Sequence, residues 1–203
     1  MYIDLTQTFS ASIPVYPGDP APKVEQFATL DKDGFVDHQV TTGMHVGTHI
    51  DAPQHFVDGG AAISDIDVAR FFGRGVLIDA RPKNPIDLDL LTGKDIQPGD
   101  IVLICTNWTL KFGQPDYYYS YPELSEALAK ALIEKKVSMI GLDTPSPDRP
   151  PFPIHKLLLK NDILLIENLT NLEQLFNTPK FQVIALPAKW QTNAGPVRVV
   201  AQV

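Results

Sequence analysis

A single α/β domain spanning residues 1–203, compact and with more strand than helix, is the fold class this sequence predicts, and three observations predict it. Short β-branched runs recur between turn signals along the chain, and only one long segment has convincing helical periodicity. The third is size: 203 residues at 44% hydrophobic composition supply one large core and leave little for a second.

The elements follow in order. Tyr2–Phe9, Lys23–Leu30 and Phe35–Val46 read as strands, the first two separated by the proline-rich stretch Ile13–Pro22. Asp65–Phe72 reads as a short helix opening on a polar capping residue. Gly75–Asp79 and Asp100–Thr106 are apolar runs of buried-strand type. Pro122–Lys136 (PELSEALAKALIEKK) places Leu124, Leu128, Ala131 and Leu132 at helical spacing, with acid near its start and lysines at its end, as the helix dipole favours. Val137–Leu142 returns as strand, Thr144–Pro153 is a second proline-rich loop, and Ile154–Lys160 is a helix set up by Pro153. Ile163–Glu167, Phe181–Leu186 and Pro196–Gln202 complete the strands. With 18 prolines and 13 glycines concentrated between elements, the two long loops are the places to look for function.

Charge and composition exclude several roles. The balance of 17 basic against 24 acidic residues gives −7, with pI near 5.1 and no lysine or arginine run longer than two, so a nucleic-acid partner is not expected. The first residues show no basic and apolar signal pattern, and no segment reaches the roughly 18 apolar residues of a membrane span, so the expectation is a soluble cytoplasmic protein with no membrane partner. Cys105, the only cysteine, lies in the apolar run Ile101–Cys105. There it reads as a buried strand residue rather than a catalytic thiol, because apolar surroundings raise a thiol pKa.

The stretch GMHVGTHIDAPQHF, residues 43–56, holds His45, His49, Asp51 and His55, three of the five histidines in the chain. In a regular strand His45 and His49 would lie about 13 Å apart, too far for one ion. A helix is opposed by Val46, Thr48 and Ile50, by Gly47 and by Pro53. The remaining arrangement is a strand that curls at Gly47-Thr48 and folds the imidazoles inward, with Pro53 fixing where His55 points. A metal site and a hydrogen-bonded histidine turn capped by Asp51 both satisfy this pattern. Further ligands are on offer elsewhere. Glu167 ends an aliphatic run, where an unpaired carboxylate is costly, and His155 opens the helix after Pro153; alternatively Glu167 faces water and His155 is an ordinary first-turn residue. No G-x-S-x-G elbow is present for a serine hydrolase.

The motif His-x-Gly-Thr-His-x-Asp-x-Pro-x-His, complete here as His45, Gly47, Thr48, His49, Asp51, Pro53 and His55, resembles the signature of the cyclase-like metal hydrolases that include bacterial kynurenine formamidase. The resemblance extends through Ile3-Asp4-Leu5-Thr6, Tyr16-Pro17-Gly18-Asp19, Gly141-Leu142-Asp143-Thr144, His155, Glu167-Asn168-Leu169 and Gly195-Pro196-Val197-Arg198. It implies a swivelling β/β/α fold, a homodimer or homotetramer, and two divalent ions per chain, zinc or manganese. By that resemblance His45, His49 and Asp51 ligate the first ion. Asp51, His155 and Glu167 ligate the second, Asp51 and Glu167 bridge, and His55 shuttles protons. Two such ions lower the pKa of a shared water and polarise a carbonyl, which suits hydrolysis of an amide such as N-formylkynurenine, an isatin-type lactam or a lactone. A metal-binding protein without turnover would have no use for His55. Tyr16 stands where kynurenine formamidase has a tryptophan lining the substrate site, so it is a candidate substrate-binding residue, the other reading being that it packs its own proline-rich loop.

Overall fold

The structure, a computed structural model, describes residues 1–203. Its framework is a closed ring of seven strands. Four are parallel neighbours, β5 (Phe72–Asp79), β6 (Ile101–Cys105), β7 (Met139–Leu142) and β8 (Leu164–Glu167). Antiparallel β4 (His49–Asp51), β9 (Gln182–Pro187) and β10 (Ala194–Gln202) close the ring, β4 between β8 and β10 and β9 between β10 and β5. β1 (Tyr2–Asp4) pairs with the far end of β10. Outside the ring, β2 (Lys23–Ala28) and β3 (Asp37–Thr41) form a separate two-stranded hairpin whose connection contains the short helix α1 (Leu30–Asp33).

Side-chain alternation divides the interior into two cores. Ile101, Leu103 and Cys105 of β6, with Ile50, Leu164, Ile166, Val183 and Val199, fill the ring. Val102 and Ile104, with Ile140, Leu142 and Leu165, point outward against α2 (Glu126–Glu134) and α3 (Pro153–Lys160). This is why β6, β7 and β8 are buried at every position. Ile50 and Ile166 sit opposite each other inside the ring, while His49 and Glu167, also opposite, face out. Burying each isoleucine contributes about 1.5–3 kcal/mol, so a one-residue slip that exchanged the two faces is strongly opposed.

Several elements differ from sequence expectation. The first strand stops at Asp4, although Thr6 still bridges to Leu169. The third stops at Thr41 because the chain must turn before the histidines. The expected helix over 65–72 is two 3-10 turns, Ile63–Asp65 and Val68–Phe71, after which β5 begins at Phe72. The long helix starts later than Pro122, where Ser125 Oγ accepts from the Leu128 N–H at 3.0 Å. Cys105 is buried in the ring, its thiol pushed up to about 12 by burial and then by Asp143. No helix is long and apolar enough to cross a membrane.

Candidate metal centre

The chain leaves β3 at Thr41, turns at Met44-His45 and bends through Val46–Thr48 before entering β4. Gly47 makes the bend with φ +67, and a Cβ there would lie 2.6 Å from Ile13 Cδ1. The curl brings His45 and His49 to 5.1 Å between ring centroids. Asn168 secures the bend, donating from Nδ2 to Gly47 O at 3.0 Å while Thr48 Oγ1 donates to Asn168 O at 2.8 Å. His49 Nδ1–H donates to Gly47 O at 2.9 Å, which leaves Nε2 as the free donor nitrogen. After β4, Pro53 opens a 3-10 turn ending at His55, whose ring stacks on His45 at 4.1 Å.

The other side comes from the β7–β8 crossover. His155, third residue of α3, lies on the helix's buried face with Ile154, Leu158 and Leu159. Asp148 in the preceding loop holds it: Oδ1 accepts from His155 Nδ1–H at 2.8 Å and Oδ2 from the Ile154 N–H at 2.6 Å. His155 Nε2 therefore faces the centre, where its lone pair would serve a cation, as in a carboxylate-held metal histidine. Glu167, at the carboxyl end of β8, reaches it from the sheet.

All five expected ligands and His55 are thus brought together. Asp51 Oδ1 lies 2.9 Å from His45 Nδ1 and 3.4 Å from His49 Nε2; Asp51 Oδ2 lies 3.5 Å from His155 Nε2. Glu167 has Oε1 3.0 Å from His155 Nε2 and Oε2 3.2 Å from His49 Nε2. Tetrahedral donors about 2.0–2.1 Å from one zinc sit roughly 3.4 Å apart, so these separations fit shared cations. His49 Nε2, both Asp51 oxygens and Glu167 Oε1 are buried and face only one another and the neighbouring imidazoles, with no other polar partner. Such a cluster is satisfied only when a cation, or additional protons on the imidazoles, lies between its members. The donor set fits divalent cations, and Asp51 offers its two oxygens to different histidines. Two overlapping groups, His45–Asp51–His55 and His49–Asp51–Glu167, each have their donor atoms within 4.8 Å.

The electrostatics agree. Burial would depress His49, but Asp51 and Glu167 overcome it and hold it up to about 9. His55 behaves oppositely: burial, only partly opposed by Asp51, pushes it down to about 4, leaving a neutral imidazole at pH 7.

A cavity of about 270 Å³ opens over the cluster, lined by Tyr16, Phe56, Tyr118, Phe152, His55 and Ser146 among others. Tyr16 lines it as expected, in edge-to-face contact with Tyr118 at 5.6 Å. Of the other aromatic residues in that part of the sequence, Tyr117 is buried and donates to Asn168 Oδ1 at 2.7 Å, Trp108 donates from Nε1 to Tyr117 O at 2.9 Å, and Tyr119 is exposed. Sequence reasoning assigned no role to Phe56, Phe152, Asp148, Asn168 or Asn193. Asn193 Nδ2 lies 3.0 Å from both His45 Nε2 and His55 Nδ1.

The family model described as "Putative cyclase" matches residues 3–149, which include the whole His45–His55 motif. The chain belongs to the cyclase family. Among its cyclase-family relatives, a kynurenine formamidase from Bacillus cytotoxicus is 30% identical over 207 residues, covering 98% of this chain and 96% of the relative. Isatin hydrolase A from Ralstonia solanacearum has a similar structure, with TM-score 0.88 at 26% identity over 100% of this chain and 92% of that one. A predicted metal-dependent hydrolase from Bacillus stearothermophilus superposes with TM-score 0.80 at 28% identity, covering 99% of this chain and 97% of the other. This cyclase-family protein is a hydrolase.

Proposed function

We propose that this hydrolase cleaves the amide C–N bond of an N-formyl arylamine of the N-formylkynurenine type, using two divalent cations, zinc or manganese. In this reading His45, His49 and Asp51 hold one cation, Asp51, His155 and Glu167 hold the other, and Glu167 joins Asp51 as a bridge. The observation that carries it is Asp51: two buried oxygens, each facing different imidazoles, beneath an aromatic-walled cavity. Bound cations supply a water of lowered pKa and a polarised carbonyl. The chain's residues do the rest. Tyr16, Tyr118, Phe56 and Phe152 bind an aryl ring and exclude water around it; the cavity volume, at the small end for ligand sites, suits a single substituted ring. His55, neutral at pH 7, accepts a proton and returns it to the leaving nitrogen.

Purified protein supplied with N-formylkynurenine should release formate, lose that activity to a chelator and regain it with zinc or manganese. A second reading, hydrolysis of an isatin-type lactam, draws support from the likeness to isatin hydrolase A. The same panel separates the two, since lactam opening yields no formate. Metal uptake with no turnover on either substrate would favour a binding protein. We extend the proposal to self-association, as homodimer or homotetramer, through the outlying hairpin, where Phe27, Leu30, Phe35, Val36 and Val40 are exposed together.

A further inference from the structure

Asn193 comes from the opposite end of the chain to the two histidines it touches. It sits immediately before β10, where Ala194 pairs with Asp51, and its carbonyl accepts the Ala52 N–H at 2.9 Å. Its backbone is thereby fixed to the strand that carries Asp51. Its side chain makes two hydrogen bonds, both through one amide atom, at 3.0 Å to His45 Nε2 and at 3.0 Å to His55 Nδ1.

Hydrogen bookkeeping across these three residues has only two consistent solutions. With Nδ2 at the shared position the amide donates, so His45 Nε2 and His55 Nδ1 both need lone pairs. His45 then carries its hydrogen on Nδ1, the nitrogen 2.9 Å from Asp51 Oδ1. A neutral imidazole with its hydrogen on Nδ1 cannot give Nδ1 to a cation. Turning the amide over places Oδ1 at the same position. Oδ1 then accepts from His45 Nε2–H, frees His45 Nδ1 for the cation, and accepts from His55 Nδ1–H as well. His55 is left with its lone pair on Nε2.

We propose that Asn193 is a positioning residue that presents Oδ1 to both imidazoles when the site is loaded, so that cation binding at His45 sets His55 as the Nδ1–H tautomer. Occupancy of the centre and readiness of the proton-transfer residue are then linked through one amide. The inference rests on the proposed reading of the cluster as a cation site with His55 beside it, and not on which amide is cleaved.

The test is histidine tautomer assignment by nitrogen-15 NMR on zinc-loaded protein without substrate, with zinc content measured on every sample. Wild-type protein should show His55 protonated at Nδ1 and bare at Nε2. Asn193→Asp offers only acceptor oxygens at that position and should keep this pattern. Asn193→Leu, similar in shape and without an acceptor, should lose it and lower kcat about 10- to 100-fold with little change in KM. Zinc bound with His55 protonated at Nε2 in wild type, or in Asn193→Asp, overturns the linkage and leaves the proposed function standing. Should Asn193→Leu fail to fold, the wild-type spectrum decides, because an amide that presents Nδ2 to His55 would leave that ring protonated at Nε2. Protein that takes up no zinc ends both proposals.

Discussion

Asp148 divides its two oxygens between His155 and a helix, one accepting from His155 Nδ1–H and the other from the first free amide of α3. Asp148→Asn keeps the shape but removes the charge that favours a basic Nε2. Competition against a chelator should therefore show cation affinity lower by about 10- to 100-fold, with the helix retained. Ligand and proton-transfer roles separate in the same way. Asp51→Ala should lose metal and activity together, whereas His55→Ala should keep its metal and lose about 10²- to 10⁴-fold in kcat; near-normal turnover would remove His55 from the reaction. Tyr16→Ala should raise KM for aromatic substrates roughly 5- to 30-fold and leave small aliphatic amides unaffected, while equal losses on both would mean that Tyr16 only packs its loop. Acidity adds a check on the bare site. His49 sits at about 9 there, above its unfolded value near 6.5, so its ion pairs stabilise the fold fully below pH 6.5 and are lost as pH rises through 9. Calorimetry of chelated protein should show Tm falling across that window; a flat profile would mean that the proton is not held. The His45, His49 and Asp51 cluster was legible because imidazole and carboxylate crowd one short motif. Asp148 was not, since it lies seven residues before His155 with no repeating geometry between them, and Asn193 was not, since nothing local links it to residues 138 and 148 positions away.

At the scale of the element, the bend before β4 was legible and the ends of its neighbours were not. Gly47 between two histidines, followed by Pro53, admits neither a straight strand nor a helix, and the curl found there follows from that exclusion. The strand expected over Phe35–Val46 exceeds β3 because Val40, Thr41 and Thr42 continue a strand pattern, whereas the pairing with β2 runs out at Thr41 and the chain then turns. Asp65–Phe72 has a helix-like start, but Phe72 is drawn into pairing with Ile184 and leaves room only for 3-10 turns. Gly47→Ala gives this bend a number. The left-handed backbone costs about 1–2 kcal/mol and the contact with Ile13 adds to it. Gly59→Ala is the control, since Gly59 has φ +66 with nothing within 4 Å of a new Cβ and should show the backbone cost alone. Denaturant titration should find Gly47→Ala the less stable of the two, and only that variant should also bind metal more weakly. Equal losses would show that Ile13 yields freely.

For the whole molecule, apolar periodicity foretold a strand-rich domain, but ring closure depends on β9 and β10 meeting across the barrel, which no local pattern encodes. The hairpin of β2 and β3 stands apart from that ring, and an isolated two-stranded hairpin is marginal in water. If it is where copies meet, light scattering should give a multiple of 22.4 kDa for the native chain and the protomer mass for Phe27→Ser with Phe35→Ser. A native protomer would refute self-association. The ring has one short stave, β4, three residues long and held between β8 and β10. Its inward residue Ile50 belongs to the core and its outward residues His49 and Asp51 to the cluster, so a cation held as proposed would tie β4 to β8 and to α3 by bonds far stronger than three residues of ladder. Local opening should follow. In chelated protein the amides of residues 49–51 and 165–167 should exchange with deuterium sooner than those of β6, and in loaded protein they should exchange on the same slow timescale, making this seam a gauge of occupancy that can be followed without any substrate.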